Sequence, residues 1–204
     1  FQSLGLDVCA VPMDGDGMRV EELEKSGADM AYVMPSHQFP TGIVMPVKRR
    51  MELLDWAYAR EGRYIIEDDY DSEFRYGGRP IPALQGYDRH GKVIYMGTLS
   101  KSVAPAIRIS YMVLPEELME IYRRKAGYLT STVSRIDQMI VHEFFRDGYY
   151  ERHLSRMRAA YKKKRDVLMA ALAGCFQEKC AVFGEEAGVH LLAGFSLGRT
   201  EEEL

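Results

Sequence analysis

Cysteine is scarce: Cys9, Cys175 and Cys180 are the only three in 204 residues, and no two stand in C-x-x-C spacing. An odd, sparse set argues against a disulfide framework and suits a reducing cytoplasm. Long apolar runs are missing as well, none approaching the ~20 residues that span a bilayer, so no membrane partner is expected. No basic stretch followed by an apolar one marks a secretory leader. Charge of one sign is also lacking: the net charge is −3, and nothing global points to nucleic acid. No internal repeat or low-complexity segment occurs. There is no starting Met. The chain opens on Phe1-Gln2-Ser3-Leu4-Gly5 and closes on Glu201-Glu202-Glu203-Leu204, which reads as a helix beginning, so a fragment is expected. What is present, 47% apolar and 28% charged residues, is the makeup of a globular chain able to bury a sizeable core. Its length suits one domain, or one domain plus part of another.

Read in order, Asp7–Pro12 predicts a short strand closed by the turn residues Asp14-Gly15-Asp16-Gly17. Arg19–Lys25 predicts a short helix and Ala31–Met34 a buried strand. Pro35-Ser36-His37-Gln38-Phe39-Pro40-Thr41-Gly42, with two prolines and a glycine, must be a loop. Met51, Leu54, Ala57 and Tyr58 form an i, i+3 stripe that predicts a helix over Val47–Glu61, closed by Gly62. Tyr64–Ile66, Val93–Met96 and Ile109–Leu114 read as strands, with a polar connection from Asp71 to Gly91. Strands apolar on both faces and alternating with helices indicate a mainly parallel α/β sheet, where ligands collect at the C-terminal strand ends. Beyond Pro115 the character changes to long helices over Glu116–Ala126, Val133–Arg146 and Tyr149–Leu172, broken at Gly174. Ala181–Phe183 and Val189–Leu192 then read as strands of a smaller unit, and the boundary is placed near residue 155.

Two polar clusters end apolar strands. Glu67-Asp68-Asp69-Tyr70 follows Tyr64-Ile65-Ile66, and Gly97-Thr98-Leu99-Ser100-Lys101 follows Val93-Ile94-Tyr95-Met96, with Arg108 seven residues later. These are the residue types that pyridoxal phosphate (PLP) needs: an amine for a Schiff base, an acid for the pyridine nitrogen, a donor near the phenolic oxygen, and a cationic, hydroxyl-rich cup for the phosphate. Lys101, Asp68, Tyr70 and the set Thr98, Ser100 and Arg108 are of those types, and Arg offers a planar fork to two phosphate oxygens. Each also has an ordinary alternative. A Ser-Lys pair suits a solvated loop, Asp68-Asp69 a strand-end turn, and Arg108 a pairing with some carboxylate.

Three motifs in order carry a specific resemblance: Ser36-His37-Gln38-Phe39-Pro40-Thr41-Gly42, then Ile66-Glu67-Asp68-Asp69-Tyr70-Asp71-Ser72-Glu73-Phe74-Arg75-Tyr76, then Gly97-Thr98-Leu99-Ser100-Lys101 through Arg108. Together with Pro80-Ile81-Pro82-Ala83-Leu84-Gln85-Gly86, they resemble the aminotransferase-like, fold-type-I PLP domain of the MocR/GabR regulators of the GntR family. The resemblance covers essentially the whole chain. It implies an α/β, three-layer PLP-dependent transferase large domain, partial, over 1–155, plus the start of a small α+β C-terminal domain over 156–204. It implies Lys101 as the Schiff-base lysine, Asp68 on the pyridine nitrogen, Tyr70 on the phenolic oxygen, and Thr98, Ser100 and Arg108 on the phosphate. Many aminotransferases have Asn-Pro-x-Gly in the first loop. Phe39 stands at the Asn position here, so His37 or Gln38 is the substitute contact, or else caps the loop.

By the same resemblance, a winged-helix DNA-binding domain, the first part of the PLP domain and a substrate-carboxylate Arg lie outside this segment. The expected function is an effector-sensing and dimerisation domain of a bacterial transcription regulator, in which PLP on Lys101 forms a Schiff base with an amino acid or amine effector. The expected assembly is a homodimer, touching DNA only through the absent domain. The alternative is a class I/II aminotransferase in which Lys101 shuttles the proton; a bare scaffold is the third reading. His142-Glu143 and His153 have no second ligand at helical spacing, so no metal is expected. The basic run Lys162-Lys163-Lys164-Arg165 reads as a solvated helix face, and the twelve methionines as core filling.

Overall fold

The computed structural model describes residues 1–77, 81–196 and 198; the helix start expected at 201–204 lies outside them. Eight strands and five α-helices follow one another among these residues. They are β1 (Met13–Asp14), β2 (Gly17–Met18), α1 (Val20–Ser26), β3 (Met30–Val33), α2 (Val47–Tyr58), β4 (Tyr64–Asp69), β5 (Val93–Thr98), β6 (Ser110–Val113), α3 (Glu116–Ala126), α4 (Arg135–Arg146), α5 (Tyr149–Phe176), β7 (Cys180–Phe183) and β8 (Leu192–Phe195). The central sheet has the order β3-β4-β5-β6, parallel from β3 to β5 and antiparallel at β6.

The two faces of this sheet differ. On one, Ala31, Val33, Ile65 and Val93 join Leu23, Leu53, Leu54, Trp56, Ala57 and Leu84 in the hydrophobic core. Helix α2 forms because its apolar positions fall on one stripe, and it turns Leu53, Leu54, Trp56 and Ala57 onto the sheet. Full burial of one such leucine contributes roughly 1.5–3 kcal/mol. Side chains alternate along a strand, so Tyr32, Ile66, Asp68, Met96 and Met112 emerge on the opposite face. Tyr32 and Met112 there remain 38% and 52% exposed and Asp68 and Met96 half-buried, while Ile66 is buried, so this face is partly uncovered among the described residues.

Residues 7–12 do not form the expected strand. The short hairpin pairs Met13 with Met18 and Asp14 with Gly17, because Asp14 Oδ1 accepts the Asp16 N–H and Gly17 takes φ +100°. Helix α2 ends at Tyr58, ahead of Gly62, and β4 runs on through the acidic cluster to Asp69. Gly97 is required where β6 crosses β5, since a Cβ there would collide with the Tyr111 ring. Helix α5 passes residue 155 and Gly174 without a break, and β8 begins at Leu192 rather than Val189. Its partner β7 pairs with it in antiparallel register, Cys180 opposite Phe195. The segment after β4 ties this hairpin in: Tyr76 N–H donates to the Glu186 carbonyl, Gly188 N–H to Phe74, and the Tyr76 hydroxyl to Gly188. Methionine is not mainly core filling: Met45 is buried, but Met13, Met30, Met112 and Met139 are exposed.

Leu53→Ala should lower the unfolding free energy by about 2–5 kcal/mol, read from the urea midpoint at unchanged slope, because the cavity lies under the centre of the sheet.

Candidate functional site

The parallel ladder between β4 and β5 sets Asp68 opposite Met96 and Asp69 opposite Gly97, so both polar clusters leave the sheet at neighbouring C-terminal strand ends. Alternation then sorts the acids. Glu67 and Asp69 point to the packed side, and Asp68 to the uncovered one. Glu67 is fully buried, where its two oxygens accept the N–H groups of Leu84 (2.7 Å) and Gln85 (2.8 Å); burial pushes its pKa up. Asp69 accepts from the Ser72 N–H and hydroxyl and from the Tyr95 hydroxyl at 2.9 Å. Both are structural acids, which the sequence motif does not distinguish from Asp68.

Asp68 accepts a hydrogen bond from the Tyr32 hydroxyl through Oδ2. Burial and this carboxylate push the Tyr32 phenol well above its ordinary range. The strand β5 ends at Thr98, whose Oγ1 takes the Ser100 N–H at 3.2 Å and fixes the start of the loop. Ser100 is buried and Lys101 exposed. Arg108, also exposed, sits at φ 50° and ψ 35°, a left-handed conformation that costs a non-glycine residue roughly 1–3 kcal/mol. Neither the Lys101 amine nor the Arg108 guanidinium has a hydrogen-bond or ion-pair partner among the described residues.

Tyr70 and His37 lie beside this group. The Tyr70 hydroxyl donates to the His37 carbonyl at 2.8 Å, and burial followed by the nearby acids, Asp71 and Asp68 foremost, pushes the phenol up. The His37 ring is fully buried and turned toward Asp71, whose Oδ2 accepts from Nδ1 at 3.0 Å and also from the Val189 N–H at 2.9 Å. The imidazole thus holds the loop that contains Pro40 against the C-terminal hairpin; Tyr70 meets the His37 carbonyl by its hydroxyl and the tilted His37 ring at 6.3 Å between ring centres.

His190 was not singled out by the sequence, where it is one histidine in Gly188-Val189-His190 with no motif around it. Its ring lies 4.3 Å from His37, 5.4 Å from Phe39 and 6.3 Å, stacked, from Tyr70. Burial first, then the His37 and Lys101 charges, depress its pKa against the pull of Asp71 and the Pro40 carbonyl. Tyr70 and His190 thus lie stacked beside the buried His37–Asp71 pair. His37, Asp71 and His190 also bring one potential metal-ligand atom each within 4.8 Å of one another. Hydrogen bonds already occupy Asp71 Oδ2, and a Cβ on Gly188 would strike both His37 and Asp71, so the cluster is tightly packed by backbone.

Residues 18–203 match the family described as aminotransferase class I and II. The chain belongs to that family. It is 41% identical over 203 residues to an uncharacterized HTH-type transcriptional regulator, YhdI, of Bacillus subtilis, covering all of this chain and 43% of the relative. It is 34% identical over 202 residues to the probable rhizopine catabolism regulatory protein MocR of Rhizobium meliloti, covering 99% of this chain and 41% of that one. The chain thus spans less than half the length of these relatives. Among solved structures, the α-aminoadipate aminotransferase LysN of Thermus thermophilus, complexed with N-(5'-phosphopyridoxyl)-L-leucine, superposes with a TM-score of 0.78 at 29% identity, over 94% of this chain and 50-odd percent (51%) of that one. The fold is that of an aminotransferase of fold type I, present in part.

His190, with a folded pKa below its ordinary 6.5, contributes stability that is fully present above pH 6.5 and is lost as the pH falls below 6.5 through the lower folded value. Unfolding midpoints measured from pH 7.5 to 5.0 should therefore fall in the wild type and fall less steeply in His190→Phe.

Proposed function

We propose that this chain is the effector-sensing and dimerisation part of a bacterial transcription regulator, with PLP bound at the ends of β4 and β5. The observation that carries the reading is that Asp68 near the end of β4 and the segment after β5 that bears Lys101 leave the sheet side by side, with the Lys101 amine and the Arg108 guanidinium without partners among the described residues. The donor set fits the cofactor. Asp68 on the uncovered face, Lys101, and the Thr98–Ser100–Arg108 turn have the chemistry of a pyridine partner, an imine-forming amine and a phosphate cup. PLP, when bound, supplies an aldehyde that condenses with amines and a ring that withdraws electrons.

In this reading Asp68 holds the proton on the pyridine nitrogen, and Tyr32 orients that carboxylate by donating to its Oδ2. Arg108 and the Thr98 and Ser100 hydroxyls bind the phosphate, the left-handed turn at Arg108 aiming its guanidinium. The Tyr70 hydroxyl donates to the His37 carbonyl, and it would be the group to donate to the cofactor's phenolic oxygen. His37 acts through its carbonyl and through the Asp71 contact rather than through a ring contact to the cofactor. Similarity to HTH-type regulators supports DNA binding through a domain outside this segment, in a homodimer in the cytoplasm, with residues 156–204 starting the small domain. An amine or amino acid that prefers one of two domain arrangements then shifts the population that binds DNA. The aminotransferase match supports a second reading, full amino-group transfer with Lys101 moving the proton.

PLP added to the full-length protein should give a visible absorption band that borohydride fixes in place, and Lys101→Ala should abolish it; a band that survives the substitution rejects the site. On the same preparation, amines should change the affinity for the operator DNA with no more than one turnover of a keto acid. Sustained turnover at an enzyme-like rate supports the second reading instead.

A further inference from the structure

On the packed side of the sheet, away from Asp68, a cavity of about 310 Å³ opens between the segment after β4 and helix α5. Its polar lining consists of Arg50, Arg75, Arg158, Glu73, Ser36 and Ser72. Three guanidiniums with one carboxyl is an unusual balance for a semi-enclosed space, and the carboxyl does not correct it. Glu73 faces the Ser102 hydroxyl and the Tyr150 hydroxyl, which is 3.5 Å from Oε1, and burial together with Asp69 and Asp71 pushes its pKa up. No arginine is among the groups that act most on it.

Of the three guanidiniums, Arg50 feels the Glu67 and Asp69 carboxylates, whereas Arg75 and Arg158 meet no carboxylate partner among the described residues. Arg50 donates only to backbone carbonyls, those of Met45, Pro82 and Pro35 at 2.8–3.0 Å. Arg75 Nε is buried without a partner, and Arg158 gives its Nε to the Glu73 carbonyl at 2.6 Å. Neither Arg75 nor Arg158 has an ion pair among the described residues. Arg75 lies close enough to Arg50 to oppose its charge. Like charges gathered in a low-dielectric space repel, and a buried donor without an acceptor costs stability; an oxyanion relieves both at once. A guanidinium presents paired donors that match phosphate oxygens, and two serine hydroxyls complete such a shell.

We propose that this cavity is a second ligand site, distinct from the strand-end site, that binds a small phosphate dianion, free or as a monoester. It lies where α5, the loop bearing Ser36 and the C-terminal hairpin meet, so its occupant bridges the elements that domain movement would separate.

The test is calorimetric titration of inorganic phosphate into the full-length protein saturated with PLP, so that the strand-end phosphate cup is filled. One binding event is expected, weakened at least tenfold by Arg75→Gln and by Arg158→Gln and unchanged by Arg108→Gln. Arg158 is exposed on α5, so its variant folds and decides the matter if Arg75→Gln does not. Phosphate should also bind more tightly than succinate. The proposal is overturned if phosphate does not bind, if binding survives both cavity variants, if Arg108→Gln alone removes it, or if succinate binds better. If PLP does not load, the strand-end cup is open as well, and the cavity event is then the one that Arg75→Gln and Arg158→Gln weaken and Arg108→Gln leaves in place, so failure of the PLP reading and failure of this one are distinguishable.

Discussion

Hydrogen bonding between β4 and β5 in parallel register is the constraint on which the rest depends. It fixes Asp68 opposite Met96 and Asp69 opposite Gly97, and so decides which acid meets the open face. A slip of one residue would turn Glu67 and Asp69 to that face and bury Asp68, since side chains alternate with a period of two. The register is held from the packed side. Ile65 and Val93 lie in the core, and Glu67 clamps the backbone N–H groups of Leu84 and Gln85. Both of its oxygens are satisfied there, so the carboxyl cannot leave without exposing two buried donors.

A second network joins the two ends of the chain. Asp71 accepts from His37 and from the Val189 backbone, and Gly188 approaches too closely to carry a side chain. The hairpin β7–β8 is thereby tied to the loop that carries the carbonyl partner of Tyr70. Any rearrangement of the hairpin must pass through this contact before it reaches the strand ends.

Much of this was legible in the residues. The strands from β3 to β6 and the helices α1 to α5 follow apolar periodicity, and the motifs place the acid near the C-terminal end of β4 and the lysine and arginine in the segment after β5, where an α/β sheet gathers ligands. Other features depend on tertiary contacts that no local pattern encodes. Residues 7–12 have strand-like composition but no neighbour to pair with. Glu67, Asp68 and Asp69 look alike in sequence, and only strand direction separates two structural acids from the exposed one. Gly174 stands within α5 without ending it, because propensity is a weak cost against a 28-residue helix. His190 entered the site only because the hairpin folds back onto His37 and Tyr70. The methionines divide: Met45 is in the core with Met18 and Met51 packed against it, while Met13, Met30, Met112 and Met139 are exposed.

The central claim is that Asp68 and Lys101 serve one pyridine ring. It is tested most directly by ¹⁵N NMR of ring-labelled PLP bound to the full-length protein. The account predicts a pyridine nitrogen that stays protonated at neutral and mildly alkaline pH in the wild type and loses that proton in Asp68→Ala. A nitrogen that is unprotonated at neutral pH in the wild type, or unaffected by the Asp68 substitution, would contradict it.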